Sequence, residues 1–424
     1  MTPEQIIAVA VFLVAMVLIV SEKVHRSVVA IIGAVVLMFT IMPFETAIEH
    51  IDYNTLGVLC GMMLFVAVVK QSGVFEFLAV LCAKKALGRP WIIMVLFVLL
   101  TAVLSALLDN VTTVLLMGPM TLKVCDLLDI DPIPFFMSEI MASNIGGTAT
   151  LIGDPPNIMI GSAAGYTFAD FVMYDTPAVL IILVALLVVF YFMYGRKMHV
   201  TNENKAKLMQ LEPFGQIKDE KLLYLSAVMV LLVVVGFMMH GSLGVESCVI
   251  ALTAAGLILL ISRYPVEEAL ADVEWTTLSF FAGLFIIVGG MSQTGVIEML
   301  AQALVDVTGG NVFVTMLVLV FASAIISSFL DNIPFVATMI PILIAMQGTG
   351  MDVTPLWWAV SLGACLGGNG TLIGASANVV LSDIAKKNGY SITFISYLKT
   401  GFPIMVMSVV IAAAYLVVRF PPVG

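Results

Sequence analysis

Apolar runs long enough to cross a bilayer, about 17–25 residues, recur near 5–21, 27–42, 54–72, 176–195, 222–240, 245–262, 275–292 and 401–418. Inside hydrocarbon every backbone N–H and C=O needs an internal partner, so such runs must be helices. Composition agrees. Apolar residues make up 61% of the 424 and charged residues 11%, where soluble chains carry about a quarter charged. A soluble fold of this size could not hide that much apolar surface. Disorder, coiled coil and disulfide scaffold fall with the same numbers. A net charge of −10 without a basic cluster excludes a nucleic-acid partner. Cys60, Cys82, Cys125, Cys248 and Cys365 are scattered and odd in number. They read as small hydrophobes, and neither they nor the four histidines show metal-ligand spacing, so no metal or cofactor is expected. No phosphate-cradling GxxxxGK[ST] loop is present, so the chain carries no ATPase of its own and does not read as an enzyme. Glu4 stands where a signal peptide would carry basic residues, so 5–21 reads as a span.

Two further blocks, about 90–175 and 312–396, are apolar but broken by Gly, Pro, Asn and Asp. At membrane depth such breaks are tolerated only inside protein or beside a wet cavity. The blocks are copies. Ser105-Ala106-Leu107-Leu108-Asp109-Asn110-Val111 matches Ser327-Ser328-Phe329-Leu330-Asp331-Asn332-Ile333 at an offset of 222. Gly146-Gly147-Thr148-Ala149-Thr150-Leu151-Ile152-Gly153 matches Gly367-Gly368-Asn369-Gly370-Thr371-Leu372-Ile373-Gly374 at 221, and Asn157 meets Asn378. The match extends upstream through Gly61 with Gly283 and Gln71-Ser72-Gly73-Val74 with Gln293-Thr294-Gly295-Val296. The chain therefore reads as two halves, 1–200 and 222–424, joined by a linker at 201–221.

Lys and Arg collect on the cytoplasmic side. With the N-terminus outside, Lys23, Arg26, Lys84, Lys85, Arg89 and the basic stretch 196–221 all fall inside. Keeping Lys123 inside requires 90–124 to enter and return as a re-entrant hairpin with Asp109-Asn110 at its tip. The segment from 133 to about 165 then crosses with a break at 146–156. Each half makes five crossings, so the second copy is inverted and its hairpin, tip Asp331-Asn332, enters from outside. Only Arg419 of the 18 basic residues falls outside. The expected fold is an all-α polytopic membrane protein of two inverted-topology repeats. It has about ten transmembrane helices, two re-entrant hairpins and two discontinuous helices, with both termini outside a bacterial plasma (inner) membrane. Inverted repeats with broken helices are the secondary-transporter pattern, with the site at the midplane where the breaks meet.

Asp109 and Asp331 suit helix capping. Ser would cap as well, and a carboxylate at membrane depth is expensive unless paired or neutralised. Coupling-ion or proton duty is therefore expected of both, with Asn110, Thr112 and Asn332 beside them. The glycines Gly146, Gly147, Gly367 and Gly368 permit unwound backbone, or else tight helix packing. Unwinding would free carbonyls for cations and aim helix N-termini at polar solutes. Thr148, Asn157, Asn369, Thr371 and Asn378 add neutral donors and acceptors. Three features break the repeat: Asp154 faces Ala375, Glu139 faces Val360, and Ser143-Asn144 faces Ala364-Cys365, or Cys365-Leu366 at a strict offset of 222. Asp154 and Glu139 are candidate proton or cation carriers, although Glu139 equally suits a packed polar position. No Lys or Arg occurs over 124–195 or 264–385, so both breaks should lack fixed cations. A neutral hydroxide such as arsenous acid, or a cation such as Na⁺, then suits the site better than a polycarboxylate.

Leu108-Asp109-Asn110-Val111-Thr112-Thr113, Ile152-Gly153-Asp154-Pro155-Pro156-Asn157, Leu330-Asp331-Asn332-Ile333-Pro334 and Gly367-Gly368-Asn369-Gly370-Thr371-Leu372-Ile373-Gly374-Ala375-Ser376-Ala377-Asn378 resemble the ion transporter superfamily. The likeness is to its arsenite permease, NhaD-type antiporter and melanosomal P protein branch. It implies an elevator-type homodimer among membrane lipids. Its fixed scaffold would hold 1–87 and 222–309, and its moving transport part 88–200 and 310–424. Resemblance to arsenite pumps would allow a soluble ATPase to dock on the cytoplasmic loop. The sodium-dicarboxylate relatives carry Ser-Asn-Thr at the tips, where this chain carries Asp109-Asn110-Val111 and Asp331-Asn332-Ile333. That departure favours proton-linked export of arsenite or antimonite, with Na⁺/H⁺ antiport or organic-anion transport as alternatives. An intramembrane aspartyl protease is disfavoured, because neither tip aspartate has the Gly-x-Gly-Asp setting of those enzymes.

Overall fold

The computed structural model describes residues 1–21 and 23–422, and all regular structure among them is helical. The first half runs α1 (Pro3–Ser21), α2 (Arg26–Thr40), α3 (Phe44–Glu49), α4 (Tyr53–Val69), α5 (Val74–Lys85), α6 (Pro90–Leu107), α7 (Asn110–Leu128), α8 (Ile133–Gly147), α9 (Pro155–Ala164), α10 (Phe168–Tyr174) and α11 (Thr176–Met193). The linker carries α12 (Asn202–Met209). The second half runs α13 (Glu220–Leu243), α14 (Ser247–Ser262), α15 (Val266–Ala271), α16 (Trp275–Gln293), α17 (Val296–Thr308), α18 (Val312–Phe329), α19 (Asn332–Gly348), α20 (Thr354–Gly367), α21 (Ser376–Lys387) and α22 (Phe394–Arg419). Apart from α10, the order of long and short helices is the same in both halves.

Nine helices among the described residues have the length and apolarity of a membrane span. Two expected spans differ by two residues at one end: α2 stops at Thr40 because Pro43 follows, and α14 starts at Ser247. α14 ends as expected at Ser262, where the left-handed Arg263 (φ 55°) turns the chain into Pro265. Proline cannot continue a helix and restrains the residue before it.

The helices form two groups. In the frame group α2 packs on α16 and α4 on α14, with α1 and α13 outermost. The two central contacts are close. A Cβ on Gly61 would lie 2.7 Å from the Ala251 carbonyl carbon, and one on Gly283 2.6 Å from that of Ala30. The hairpin group packs α6 on α8, α18 on α20, and α11 and α20 on α22.

The bases of the two hairpins lie at opposite ends of α11, a helix of about 27 Å. Near its end, Tyr191 meets Trp91 at the start of α6, ring centroids 5.2 Å apart. The return arm comes back to the same face, where Lys123 Nζ donates to Gln216 of the linker (3.3 Å) and Leu128 O accepts from Asn204 (3.2 Å). Tyr174, just before α11, stacks on Phe420 at 6.0 Å and lies 4.7 Å beneath the Arg419 guanidinium. Those two C-terminal residues share a surface cavity with Val312 and Asp352 at the base of the α18–α19 hairpin. The first hairpin thus starts and ends at one end of α11, and the base of the second lies at the other end.

Candidate transport site

Each hairpin tip is a two-residue turn that restarts a helix with an aspartate cap. Asp109 Oδ1 accepts from Thr112 N at 2.7 Å and Asp331 Oδ1 from Ile333 N at 3.3 Å. Thr112 contributes this backbone N–H and does not line the cavity. The asparagine after each cap points inward, and both reach one carboxyl. Asn332 Nδ2 lies 3.2 Å from each oxygen of Asp154, and Asn110 Nδ2 lies 3.4 Å from its Oδ1. Asp154 is 1% exposed, and the donors it meets there, two amides and the Cys365 thiol, are all neutral.

The breaks span 148–154 and 368–375. One asparagine staples each. Asn157 Nδ2 donates to the carbonyls of Thr148 (3.1 Å) and Thr150 (3.0 Å), and Asn378 Nδ2 to those of Gly368 (2.7 Å) and Thr371 (2.9 Å). These carbonyls left the helical ladder at the break and would otherwise be buried without a donor. The hairpin arms add matching ties. Thr150 Oγ1 donates to Ala106 O and Thr371 Oγ1 to Ser328 O; Ser105 Oγ donates to Ser143 O (2.7 Å) and Ser327 Oγ to Ala364 O (2.6 Å). The halves are joined at Asn144, whose Nδ2 donates to both Asn369 Oδ1 and Asn378 Oδ1 at 2.9 Å.

The glycines correct an expectation. Gly146, Gly147 and Gly367 lie within helices, and Gly368 follows directly. The three helical glycines serve close packing instead of unwinding, while Gly368 opens the second break. A Cβ on Gly367 would meet Ala324 O at 2.6 Å, and one on Gly147 would meet Gly153 O at 2.6 Å. Gly146 abuts the Ala102 backbone in the same way. Thr148 is also satisfied locally, by Asn144 O. Glu139 is fully buried, pairs with Thr121 Oγ1 and lies outside the cavity.

The site is not free of fixed cations, which overturns the second expectation. Arg26, at the start of α2 in the frame group, reaches across to the second hairpin. Its Nη1 lies 2.9 Å from Asp331 Oδ2 and 3.0 Å from Ser376 Oγ, while Nη2 donates to Thr277 at 3.3 Å. Nothing in the local sequence around Arg26 signals this contact, which closes a loop of 305 residues. Sequence reasoning also passed over Glu274, which faces the tips from α16. A trace of it existed: Asp52-Thr55 and Glu274-Thr277 repeat at offset 222, and in each pair the threonine donates to the carboxylate.

A cavity between frame and tips is lined by Arg26, Asp109, Asn110, Asp154, Glu274 and Asn332, with apolar walls from Met62 and Ile158. About 40 Å³ of it is open to the centres of water-sized molecules, room for about three waters. Three carboxyls line it against one guanidinium that already has a carboxylate partner. Chemically this is a small, net-acidic chamber with largely apolar walls and amide groups fixed by both halves.

The chain resembles an uncharacterised transporter of Mycobacterium tuberculosis (44% identity over 98% of each chain) and the 46 kDa membrane protein of Mycobacterium leprae (42%, covering 98% of this chain and 99% of that protein). It is 31% identical to the human P protein over 99% of its own length and 60% of that protein. Among solved structures it resembles the Alcanivorax borkumensis YdaH transporter, reported to have an unusual topology, with a TM-score of 0.63 over the whole of both chains. Sequence identity there is 14%, so the likeness concerns the fold. A family model described as a citrate transporter matches residues 16–363, and the chain therefore belongs to that family of secondary membrane transporters, within the ion transporter superfamily.

Proposed function

We propose that the chain exchanges protons for a small inorganic cation, with Asp154 as the shared binding group. One observation carries this reading: Asp154 is buried where both hairpin tips meet and is held by neutral donors. A carboxylate at membrane depth without a basic partner favours a proton or a metal cation over an anion. Asp109 and Glu274 on the cavity wall act in the same sense. The family description names citrate, but three carboxyls on the cavity wall oppose a tricarboxylate. The neutral hydroxide of arsenite or antimonite, the first expectation from sequence, gains nothing from the carboxyls and becomes the second reading. It is favoured only by the Asn110 and Asn332 amides on the cavity wall, which suit a neutral polar solute.

In this mechanism the hairpin group moves against the frame group. Polar contacts cross that boundary at two places and must break in each cycle: Arg26 with Asp331 (2.9 Å) and Ser376 (3.0 Å), and Ser162 with Asp52 (2.9 Å) and Asn54 (3.2 Å). The test is proton flux in proteoliposomes containing a pH dye, with Na⁺, arsenite and citrate added in parallel. A response to Na⁺, lost in Asp154→Asn, is the expected result. A response to arsenite alone would replace the cation with the metalloid, and one to citrate alone would overturn the reading.

A further inference from the structure

Asp175 stands between α10 and α11, outside the cavity and outside the motifs that mark the breaks. It is fully buried. Its Oδ2 lies 2.6 Å from Ser361 Oγ on α20, and that hydroxyl lies 2.8 Å from Asn157 Oδ1. Asn157 is the staple of the first break. Its Nδ2 is committed to two carbonyls, so its Oδ1 can only accept. One hydroxyl thus stands between two oxygens with a single hydrogen to give. With Asp175 ionised, one of the two O···O contacts would hold no hydrogen. The charge would also lie in the interior with Oδ1 lacking any donor and, among the described residues, no cation paired to it, which is strongly disfavoured. With Asp175 protonated, its O–H donates to Ser361 and Ser361 donates to Asn157. Both contacts are then hydrogen bonds.

Comparing the halves explains why the proton is needed there. The second staple, Asn378, receives its Oδ1 donor from Asn144 at 2.9 Å. The residue equivalent to Asn144 is Cys365, whose Sγ lies 3.5 Å from Asn157 Oδ1, and a thiol is a weak donor. Ser361, backed by Asp175, supplies what the thiol does not. We infer that Asp175 is a positioning residue whose carboxyl proton, acting through Ser361, holds Asn157 and the first break in place, so that transport is switched off when that proton leaves. The titratable groups that feel Asp175 are Cys365 on α20 and Tyr415 on α22, while Arg419 on α22 lies over the ring of the adjacent Tyr174. None of them hydrogen-bonds its carboxyl.

Three readouts on the full-length protein in lipid vesicles decide this, and only the last rests on the proposed cation exchange. Infrared spectra at neutral pH should show a protonated-carboxyl C=O band that Asp175→Asn removes and alkaline buffer abolishes. The unfolded chain ionises Asp175 in acid, so retaining the proton weakens the native state as pH rises until the proton is released. The melting temperature should therefore fall with rising pH in the wild type and much less in Asp175→Asn. Na⁺-driven proton flux should fall in alkaline buffer in the wild type. Asp175→Asn, a permanent neutral donor, should keep the neutral-pH rate within about twofold and lose that fall, while Ser361→Ala should slow flux about fivefold throughout. An absent Asp175 band, or a pH profile of melting in Asp175→Asn identical to the wild type, overturns the inference. A wild type silent to Na⁺ sinks the cation reading alone, because the infrared and melting readouts stand without it.

Discussion

At the scale of single residues the site turns on one carboxyl. Asp154 accepts from both tips, so whatever binds it is sensed by both hairpins. Asp154→Asn keeps the hydrogen-bonding shape but can hold neither a proton nor a cation. Since positioned proton-transfer groups contribute about a hundredfold or more, flux should drop by at least that factor while the protein melts as one folded unit. Retained flux would move the coupling role to Asp109. The Arg26–Asp331 pair makes a separate prediction. Their side chains are 26% and 15% exposed, and removing one partner leaves a half-buried charge alone. Arg26→Gln and Asp331→Asn should each destabilise by roughly 1.5–3 kcal/mol. The double variant should cost less than the sum by roughly 0.5–3 kcal/mol, as residues in contact do; thermal melts in lipid measure both. Asp154 was legible in the sequence because it breaks a repeat that is otherwise matched. Arg26 and Asp175 were not, because their partners lie 305 and 186 positions away and no spacing encodes such a contact.

At the scale of elements the breaks are held by side chains, not by glycine freedom. Repeat matching placed both breaks within a few residues, because paired Asn and Thr mark where a helix yields its carbonyls to side-chain donors. It misjudged the glycines, since a small residue that lets two backbones meet and one that lets a backbone unwind look alike in a string. Asn378→Ala would leave the Gly368 and Thr371 carbonyls buried without their donor. At about 1–3 kcal/mol for each unsatisfied group, this should lower the melting temperature more than Asn378→Asp lowers it in acid. A Cβ added at Gly367 meets the Ala324 carbonyl, which is backbone and cannot swing away. Gly367→Ala should therefore separate α18 from α20 and destabilise by roughly 1–3 kcal/mol. An unchanged melt in either variant would contradict this account of the breaks.

At the scale of the whole molecule the decisive fact is which face each hairpin opens on. Basic residues are the only sequence signal for this. The structure sets them beside a polar linker that docks on α5 and α7: Lys84 donates to Leu211 O (2.9 Å) and Lys218 pairs with Glu76 (3.0 Å). The base of the other hairpin, around 347–355, carries no Lys or Arg. Since Lys and Arg near membrane spans stay in the cytoplasm, the linker face should be cytoplasmic and the α18–α19 base external. Glu203 on α12 and Gln347 at the end of α19 are both exposed, so each can carry a single introduced thiol in a background with the five native cysteines replaced. A membrane-impermeant maleimide added to intact cells should label Gln347→Cys and leave Glu203→Cys unlabelled until the cells are opened. The reverse result would turn the molecule over. Labelling of both from outside would mean that the two hairpins open on one face. The geometry at the two ends of α11 would then be wrong, and with it any mechanism in which a central carboxyl is offered first to one side of the membrane and then to the other.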